Sequence, residues 1–244
     1  MKHNNVIHTF IVLIAFALFS IAFAFTAFAG EGWSYYSGGW HYFNADNSVL
    51  KNTTQVIDGE SRTFDEKGIC DTGFKTPLEV PDRKSMNETA KKVEQMCDKV
   101  LGEIIKPGMT DKEKITAIYS WIQQNMSYVD HSAKDDRFEA AYEGFRAKSG
   151  DCYTYYGLSA ALLTRAGFQC LEVTRVTDNR HWWVKVRTQD GWYHFDATPR
   201  RADSVSFCLM TDDALMEYSI QHTNANGYTT HHFDPALYPP SPKS

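Results

Sequence analysis

The spacing of hydrophobic residues changes at Gly167. From Met86 to Gly167, apolar residues recur every three or four positions, which is the period of helices that bury one face. Beyond Gly167 they alternate with polar residues in short runs bounded by turns, which is the period of strands. Helices followed by neighbouring strands predict an α+β fold in which helices pack on an antiparallel sheet.

Local signals set the expected limits of these elements. Thr110 and Glu113 form a capping box that opens the second helix. Gly167 ends the last helix, because glycine readily adopts the left-handed conformation found after helices. The turn Gln189-Asp190-Gly191 joins the last two strands as a hairpin. The predicted helices are about 86–106, 110–126, 138–147 and 152–167, and the predicted strands are 169–176, 181–187 and 192–197.

The predicted hairpin brings a histidine and an aspartate together. Across its turn, Arg187 is expected to face Trp192. In that register His181 faces Thr198, so that Asp196 lies diagonally opposite the histidine on the same face. Diagonal cross-strand pairs have Cα atoms about 7–8 Å apart, which allows a hydrogen bond between these two side chains. The opposite, core-facing side then carries Val184, Val186, Tyr193 and Phe195.

Cys152 has the position of a nucleophilic cysteine. It begins the last predicted helix, where backbone N–H groups without helical partners favour negative charge and help a thiol to ionise. The same groups can form an oxyanion hole for acyl transfer. A thiol nucleophile also needs a base, and His181 with Asp196 supplies a base and a carboxylate that orients it. Since a lone cysteine or histidine is more often a packing residue, the catalytic interpretation depends on all three residues together.

Three segments contain these residues: SGDCYTYYGLSAALLTRAGFQC, RHWWVKV and GWYHFDATP. They read as Gly-x-Cys opening a helix, His-x-Trp-x-x-Val opening a strand, and a strand with Trp-x-x-x-Asp-x-Thr-Pro. In this order the motifs closely resemble the core of the transglutaminase-like superfamily. The upstream segment AIYSWIQQNMSYV is similar to a helix of the same family, so the resemblance covers roughly residues 110–200.

The resemblance implies both a fold and a reaction. The fold is a papain-like or transglutaminase-like core, with Cys152 as nucleophile, His181 as base and Asp196 as the orienting carboxylate. The expected activity is that of a peptidase or amidase that forms a thioester with a peptide or protein substrate, without a cofactor or metal. Two alternatives stay open: acyl transfer to an amine, which cross-links proteins, and a non-catalytic binding module on the same scaffold.

Several aromatic residues lie close to the predicted triad in sequence. Tyr153, Tyr155 and Trp183 are candidate substrate-binding residues, with Tyr156 beside them. An aromatic cluster packed in the core is the alternative interpretation for these residues. His194 shares a strand face with the predicted aspartate, but the motif places the catalytic histidine at the start of the preceding strand.

The N-terminal residues 1–29 have the pattern of a secretory signal peptide. Lys2 supplies a positive charge, 10–28 is an almost unbroken apolar run, and Ala27-Phe28-Ala29 is a small-x-small cleavage site before Gly30. The run is also close to the length of an uncleaved membrane anchor. Cleavage predicts a secreted protein with no stable membrane partner.

Residues 30–74 contain a weak internal repeat. Phe43-Asn44 lines up with Phe64-Asp65, each after a short aromatic strand and before a polar turn. This pattern resembles the cell-wall-binding, choline-binding-like repeats of exported Gram-positive proteins, although Ser61-Arg62-Thr63 replaces the expected aromatic pair. A cell-wall polymer is therefore one expected partner, and a hairpin cap packed on the next domain is the alternative. The rest of the chain is expected to form a linker (75–85), a transglutaminase-like catalytic domain (86–235) and a Pro-rich tail (236–244).

Charge and the remaining cysteines and histidines narrow the class further. The formal net charge is −5 and no basic stripe is present, which argues against a nucleic-acid partner. Five cysteines leave at least one thiol unpaired, and the sequence does not choose among the pairings of the others. Because no CxxC or CxxH spacing suggests zinc, the pair His231-His232 is interpreted as a solvated loop rather than a metal site.

Overall fold

The computed structural model describes residues 30–130, 136–176, 181–199, 205–223 and 230–243. The predicted signal peptide at 1–29 lies outside these residues and stays a prediction. Within the described residues, no helix combines the length and the hydrophobicity that crossing a bilayer requires.

Two antiparallel β-hairpins form the N-terminal segment, as the sequence predicts. Phe43 and Phe64, which the internal repeat aligns, each end the second strand of a hairpin. The first hairpin pairs β1 with β2, and the second pairs β3 with β4. The strands are β1 (Gly32–Tyr36), β2 (Gly39–Phe43), β3 (Thr53–Ile57) and β4 (Glu60–Phe64).

The hairpins pack on the following domain. The indole Nε1 of Trp192 donates to the carbonyl of Trp33 at 2.8 Å, and the rings of Trp40 and Trp192 have centroids 5.7 Å apart. Trp33 and Trp40 are only 3% and 4% exposed. Because buried aromatic rings contribute much of the stability of such contacts, the segment has the packing of a cap on the domain.

Four helices follow in the positions that the hydrophobic period predicts. The capping box is confirmed, since the side chains of Thr110 and Glu113 each accept a backbone N–H of the other residue. Two short parallel strands, β5 (Ser127–Tyr128) and β6 (Ser149–Gly150), lie between the helices. The helices are α1 (Glu88–Ile104), α2 (Asp111–Asn125), α3 (Arg137–Ala147) and α4 (Cys152–Arg165).

A four-stranded antiparallel sheet packs against α4, which confirms the predicted α+β fold. Arg187 pairs with Trp192, so the register predicted from the turn is also confirmed. Val184, Val186 and Phe195 face the helices in the main core. The strands lie side by side in chain order, as β7 (Cys170–Thr174), β8 (Trp182–Thr188), β9 (Gly191–Phe195) and β10 (Cys208–Met210).

The chain beyond the sheet packs back on the domain. Helix α5 (Asp212–Gln221) follows β10, and a 3-10 turn occupies Pro235–Leu237. Neither element is among those predicted from the sequence. In the predicted Pro-rich tail, Tyr238 is buried and the Ser241 hydroxyl donates to Asp212 at 2.8 Å. The described part of the tail therefore belongs to the packed domain.

The predicted linker at 75–85 also stays close to the domain. It contains no helix or strand, but the N–H of Leu78 donates to the carbonyl of Cys170 at 2.7 Å. The guanidinium of Arg137 donates to the carbonyl of Glu79. The linker is therefore an irregular segment held against β7 and α3.

Candidate active site

The start of α4 holds Cys152 in a defined position. Asp151 caps the helix, and its carboxylate accepts the backbone N–H groups of Tyr153 and Thr154 at 3.0 and 3.1 Å. At Gly150, a Cβ would lie 2.3 Å from the side chain of Thr154, so only glycine permits this close approach. Cys152 is consequently the first helical residue, and it is partly exposed.

His181 and Asp196 meet at adjacent strand ends. His181 immediately precedes β8, and Asp196 immediately follows β9. The antiparallel register places these two ends side by side. Both residues are buried, and Nε2 of the histidine lies 2.7 Å from Oδ2 of the aspartate. This contact has the geometry expected for the diagonal pair that the sequence predicts.

Trp182 connects this pair to the start of α4. Its backbone N–H donates to the sulfur of Cys152, and its ring packs edge-on against Tyr153 with centroids 5.1 Å apart. The charge of Asp196 is close enough to Cys152 to affect the pKa of the thiol. The structure therefore brings Cys152, His181 and Asp196 to one place.

The thiol of Cys152 is harder to ionise than its place at a helix start predicts. Burial, with smaller contributions from the carboxylates of Asp151 and Asp196, raises its pKa to about 11, although two backbone N–H groups act in the opposite direction. The N–H of Tyr153 at the helix start lowers the pKa as expected, but desolvation is larger, so the net pKa is raised. Thiolate formation near neutral pH requires transfer of the proton to a base such as His181.

The other four cysteines form no disulfide. Cys97 and Cys170 are buried, and burial raises the pKa of both thiols. Cys208 is partly exposed and contacts the hydroxyl of Thr116. Burial raises its pKa to about 11, as it does for Cys152, so Cys208 provides an internal comparison.

A second histidine, His231, shares the carboxylate of Asp196. Its Nε2 lies 2.8 Å from the same Oδ2 atom that contacts His181, and the backbone N–H of Thr198 donates to Oδ1 at 2.9 Å. His231 is fully buried, so the prediction of a solvated loop at His231-His232 is wrong for this residue. No local sequence signal marks it, because it reaches the carboxylate through tertiary packing.

One group of described residues could hold a metal ion. It consists of His181, Asp196 and His231, whose ligand atoms lie within 4.8 Å of one another. A zinc ion would bind each ligand atom at about 2.0–2.2 Å. Here one oxygen of Asp196 contacts both imidazole nitrogens directly, at distances typical of hydrogen bonds. The cluster is thus arranged as a hydrogen-bonded network around the carboxylate.

The candidate substrate-binding residues differ in their exposure. Tyr155, Tyr156 and Trp183 are buried, and the indole of Trp183 donates to Nδ1 of His194 at 2.9 Å. Their burial favours the packing alternative over substrate contact. Tyr153 is partly exposed and remains the candidate of this set for contact with a substrate.

His194, the alternative base, belongs to a separate buried network. Its Nε2 lies 2.8 Å from Oδ1 of Asp212, and the ammonium of Lys185 contacts the same oxygen. Burial and the charge of Lys185 lower the pKa of His194 to about 4. Burial alone would raise the pKa of Asp212, but the hydrogen bond from His194 and the charge of Lys185 keep it below its usual range.

The chain is similar to several solved structures. A candidate cysteine protease from Cytophaga hutchinsonii is 19% identical with a TM-score of 0.37, and the match covers 64% of this chain and 45% of that one. A TGase is 13% identical with a TM-score of 0.37, and the match covers 50% of this chain and 36% of that one. The periplasmic domain of TgpA from Pseudomonas aeruginosa, bound to ethylmercury, is 15% identical with a TM-score of 0.34, covering 49% and 46%. This chain therefore spans less than half of each of these structures.

Comparison with curated proteins gave no match. Comparison with family models matched residues 98–197 to the transglutaminase-like superfamily. This range includes Cys152, His181 and Asp196, and it leaves the N-terminal hairpins outside. The similarity to transglutaminase-like proteins that the three motifs predict is therefore confirmed for residues 98–197.

Proposed function

We propose that this protein is a cysteine hydrolase of the transglutaminase-like type that acts as a peptidase or amidase. Cys152 is the nucleophile, His181 the base and Asp196 the carboxylate that orients the base. The observation that carries the proposal is the 2.7 Å contact between Nε2 of His181 and Asp196, beside a cysteine at a helix start. Because Nε2 is engaged by the carboxylate, Nδ1 is the ring nitrogen that receives the thiol proton.

Acylation begins when the proton of Cys152 passes to Nδ1 of His181. The sulfur attacks the carbonyl carbon of the amide, a C–S bond forms, and backbone N–H groups at the start of α4 stabilise the charge on oxygen. The C–N bond then breaks, and the amine leaves with the proton from His181. Asp196 stabilises the imidazolium between these steps, which offsets the raised pKa of the thiol.

Deacylation uses the same groups in reverse. His181 takes a proton from water, the water oxygen attacks the thioester carbon, and the C–S bond breaks. Cys152 regains its proton from the imidazolium, and the carboxylic acid leaves. An amine in place of water would yield a new amide, so the acceptor decides between hydrolysis and cross-linking.

Incubation of the purified protein with a peptide library and an amine donor tests the reaction. Mass spectrometry separates cleavage from incorporation of the amine. We expect cleavage that is lost in Cys152→Ala and His181→Ala and retained in Cys208→Ala, whose thiol has a similarly raised pKa. Cleavage that persists in folded Cys152→Ala would contradict the proposal.

We also propose that the protein acts outside the cytoplasm, on peptides or on amide bonds associated with the cell wall. This rests on the signal-peptide pattern at 1–29 and on the repeat pattern at 30–74. N-terminal sequencing of exported protein should give a start near Gly30, and a membrane-bound product that still begins at Met1 would contradict it.

A pull-down with purified wall should show at most weak retention, because the tryptophans of the first hairpin are buried.

A further inference from the structure

The proposed site contains a histidine that the triad does not use. The ring of His231 is fully buried and stacks on Phe207, with centroids 4.6 Å apart and an interplanar angle of 21°. It meets the rings of His181 and Trp183 edge-on, at 5.0 and 5.2 Å. Its backbone N–H donates to the hydroxyl of Ser219 at 3.0 Å. The position of the ring is therefore fixed from several sides.

The contacts of His231 place a proton on its Nε2. Nε2 lies 2.8 Å from the carboxylate of Asp196, and an ionised carboxylate only accepts, so Nε2 carries a proton. Nδ1 lies 3.1 Å from the hydroxyl of Thr230, which can donate to it. The same reasoning places a proton on Nε2 of His181. Both imidazoles therefore donate to one oxygen of the carboxylate.

We propose that His231 is a positioning residue that fixes the carboxylate of Asp196 in the orientation that His181 needs; this inference rests on the proposed function. The carboxylate is held by His231 at Oδ2 and by the N–H of Thr198 at Oδ1. These donors oppose rotation of the carboxylate while His181 gains and loses a proton. The effect appears in the steady-state rate where deacylation limits turnover, because a correctly oriented imidazole must take a proton from water in that step.

A role in packing alone makes a different prediction. His231→Phe keeps an aromatic ring that can stack on Phe207 but loses the donor to Asp196. His231→Gln loses the ring but keeps an amide N–H at the reach of Nε2. If packing matters, Phe is the harmless replacement, whereas Gln is the harmless one if the hydrogen bond matters.

Hydrolysis of p-nitrophenyl acetate by the full-length protein separates the two steps. Acylation of Cys152 gives a burst of nitrophenol, and the steady-state rate reports deacylation. We expect His231→Phe to keep the burst and to lower the steady-state rate about 10-fold, the lower end of the usual effect of losing one hydrogen bond to a charged group. His231→Gln should recover most of that loss.

His222→Phe is the matched control. It also replaces a histidine that stacks on an aromatic ring, Tyr218, at 3.9 Å, but Nδ1 of His222 contacts the backbone carbonyl of that tyrosine. Its burst and steady-state rate should equal those of the wild type. A wild-type rate in His231→Phe, or a His231→Gln variant as slow as His231→Phe, would overturn the role of His231. Absence of a burst that depends on Cys152 in the wild type would overturn the proposed function instead.

The tautomer of His231 can be measured without any variant, should His231→Phe fail to fold. Nitrogen NMR of histidine-labelled wild-type protein distinguishes protonated from unprotonated ring nitrogens. We expect a proton on Nε2 of His231, donated to Asp196 and protected from exchange. A proton on Nδ1 and none on Nε2 would overturn the inference.

Discussion

Lowering the pH should destabilise this protein through His194. The buried ring accepts the indole N–H of Trp183 on Nδ1 and donates from Nε2 to Asp212, so it is neutral in the folded protein. Burial, together with the charge of Lys185, lowers its pKa from 6.5 to about 4. Protonation would also break the bond from Trp183, because Nδ1 would become a donor.

The difference between the two pKa values sets the size of the effect. Above pH 6.5 the ring is neutral in both states, and its full contribution to stability is present. Between about pH 6.5 and 4 the unfolded chain binds a proton that the folded protein does not, so the free energy of unfolding decreases as the pH falls. At about 1.4 kcal/mol per pH unit, the loss reaches about 3 kcal/mol near pH 4, against a typical total of about 5–15 kcal/mol.

Guanidinium unfolding of the wild type and His194→Gln at about pH 7 and about pH 4 measures this loss. Glutamine keeps a donor toward Asp212 but does not titrate. It removes the acceptor of Trp183, which costs about 1–3 kcal/mol at both pH values. Between about pH 7 and about pH 4, the free energy of unfolding of the wild type should therefore fall by about 3 kcal/mol more than that of the variant. Equal losses in the two proteins would refute the argument that His194 is held neutral.

Two further predictions concern packing, and unfolding measurements check both. Gly157→Ala should lower the free energy of unfolding by about 1–3 kcal/mol, because the new Cβ would lie 2.7 Å from a carbonyl oxygen of α3. Gly102 has open space around it, so Gly102→Ala should instead raise the free energy of unfolding by about 0.5–1 kcal/mol. Trp192→Phe should cost about 1 kcal/mol more than Trp40→Phe, because the Trp192 indole donates to a carbonyl whereas that of Trp40 has no partner among the described residues. The opposite order in either pair would contradict the packing described above.

The central geometry of the site follows from local sequence signals. A short turn fixes the register of an antiparallel hairpin, so the pairing of Arg187 with Trp192 is sufficient to place His181 beside Asp196. In the same way, the change of period and the Gly-x-Cys motif place Cys152 at a helix start. These features depend on neighbouring residues in the sequence, and they can therefore be predicted without tertiary information.

The features that sequence reasoning misses depend mainly on long-range packing. His231 meets Asp196 from a distant segment, and no pattern around it indicates this contact. The raised pKa of Cys152 has the same origin, because burial is a property of the whole fold. Helix α5 is different: Thr211 caps it and Asp212 begins an acidic first turn, so a local signal for this helix is present in the sequence.

The reactivity of Cys152 relative to Cys208 tests the central claim most directly. Burial raises the pKa of both thiols to about 11, and both are partly exposed. Without a base they should therefore react with iodoacetamide at similar rates. Proton transfer to a positioned side chain is worth about 10²–10⁴-fold, so mass mapping near neutral pH should find Cys152 labelled first. His181→Ala should abolish this preference, whereas Asp196→Asn should leave the thiol labelled and reduce turnover. Equal labelling of Cys152 and Cys208 in the wild type, or a labelling rate that His181→Ala does not change, would contradict the account.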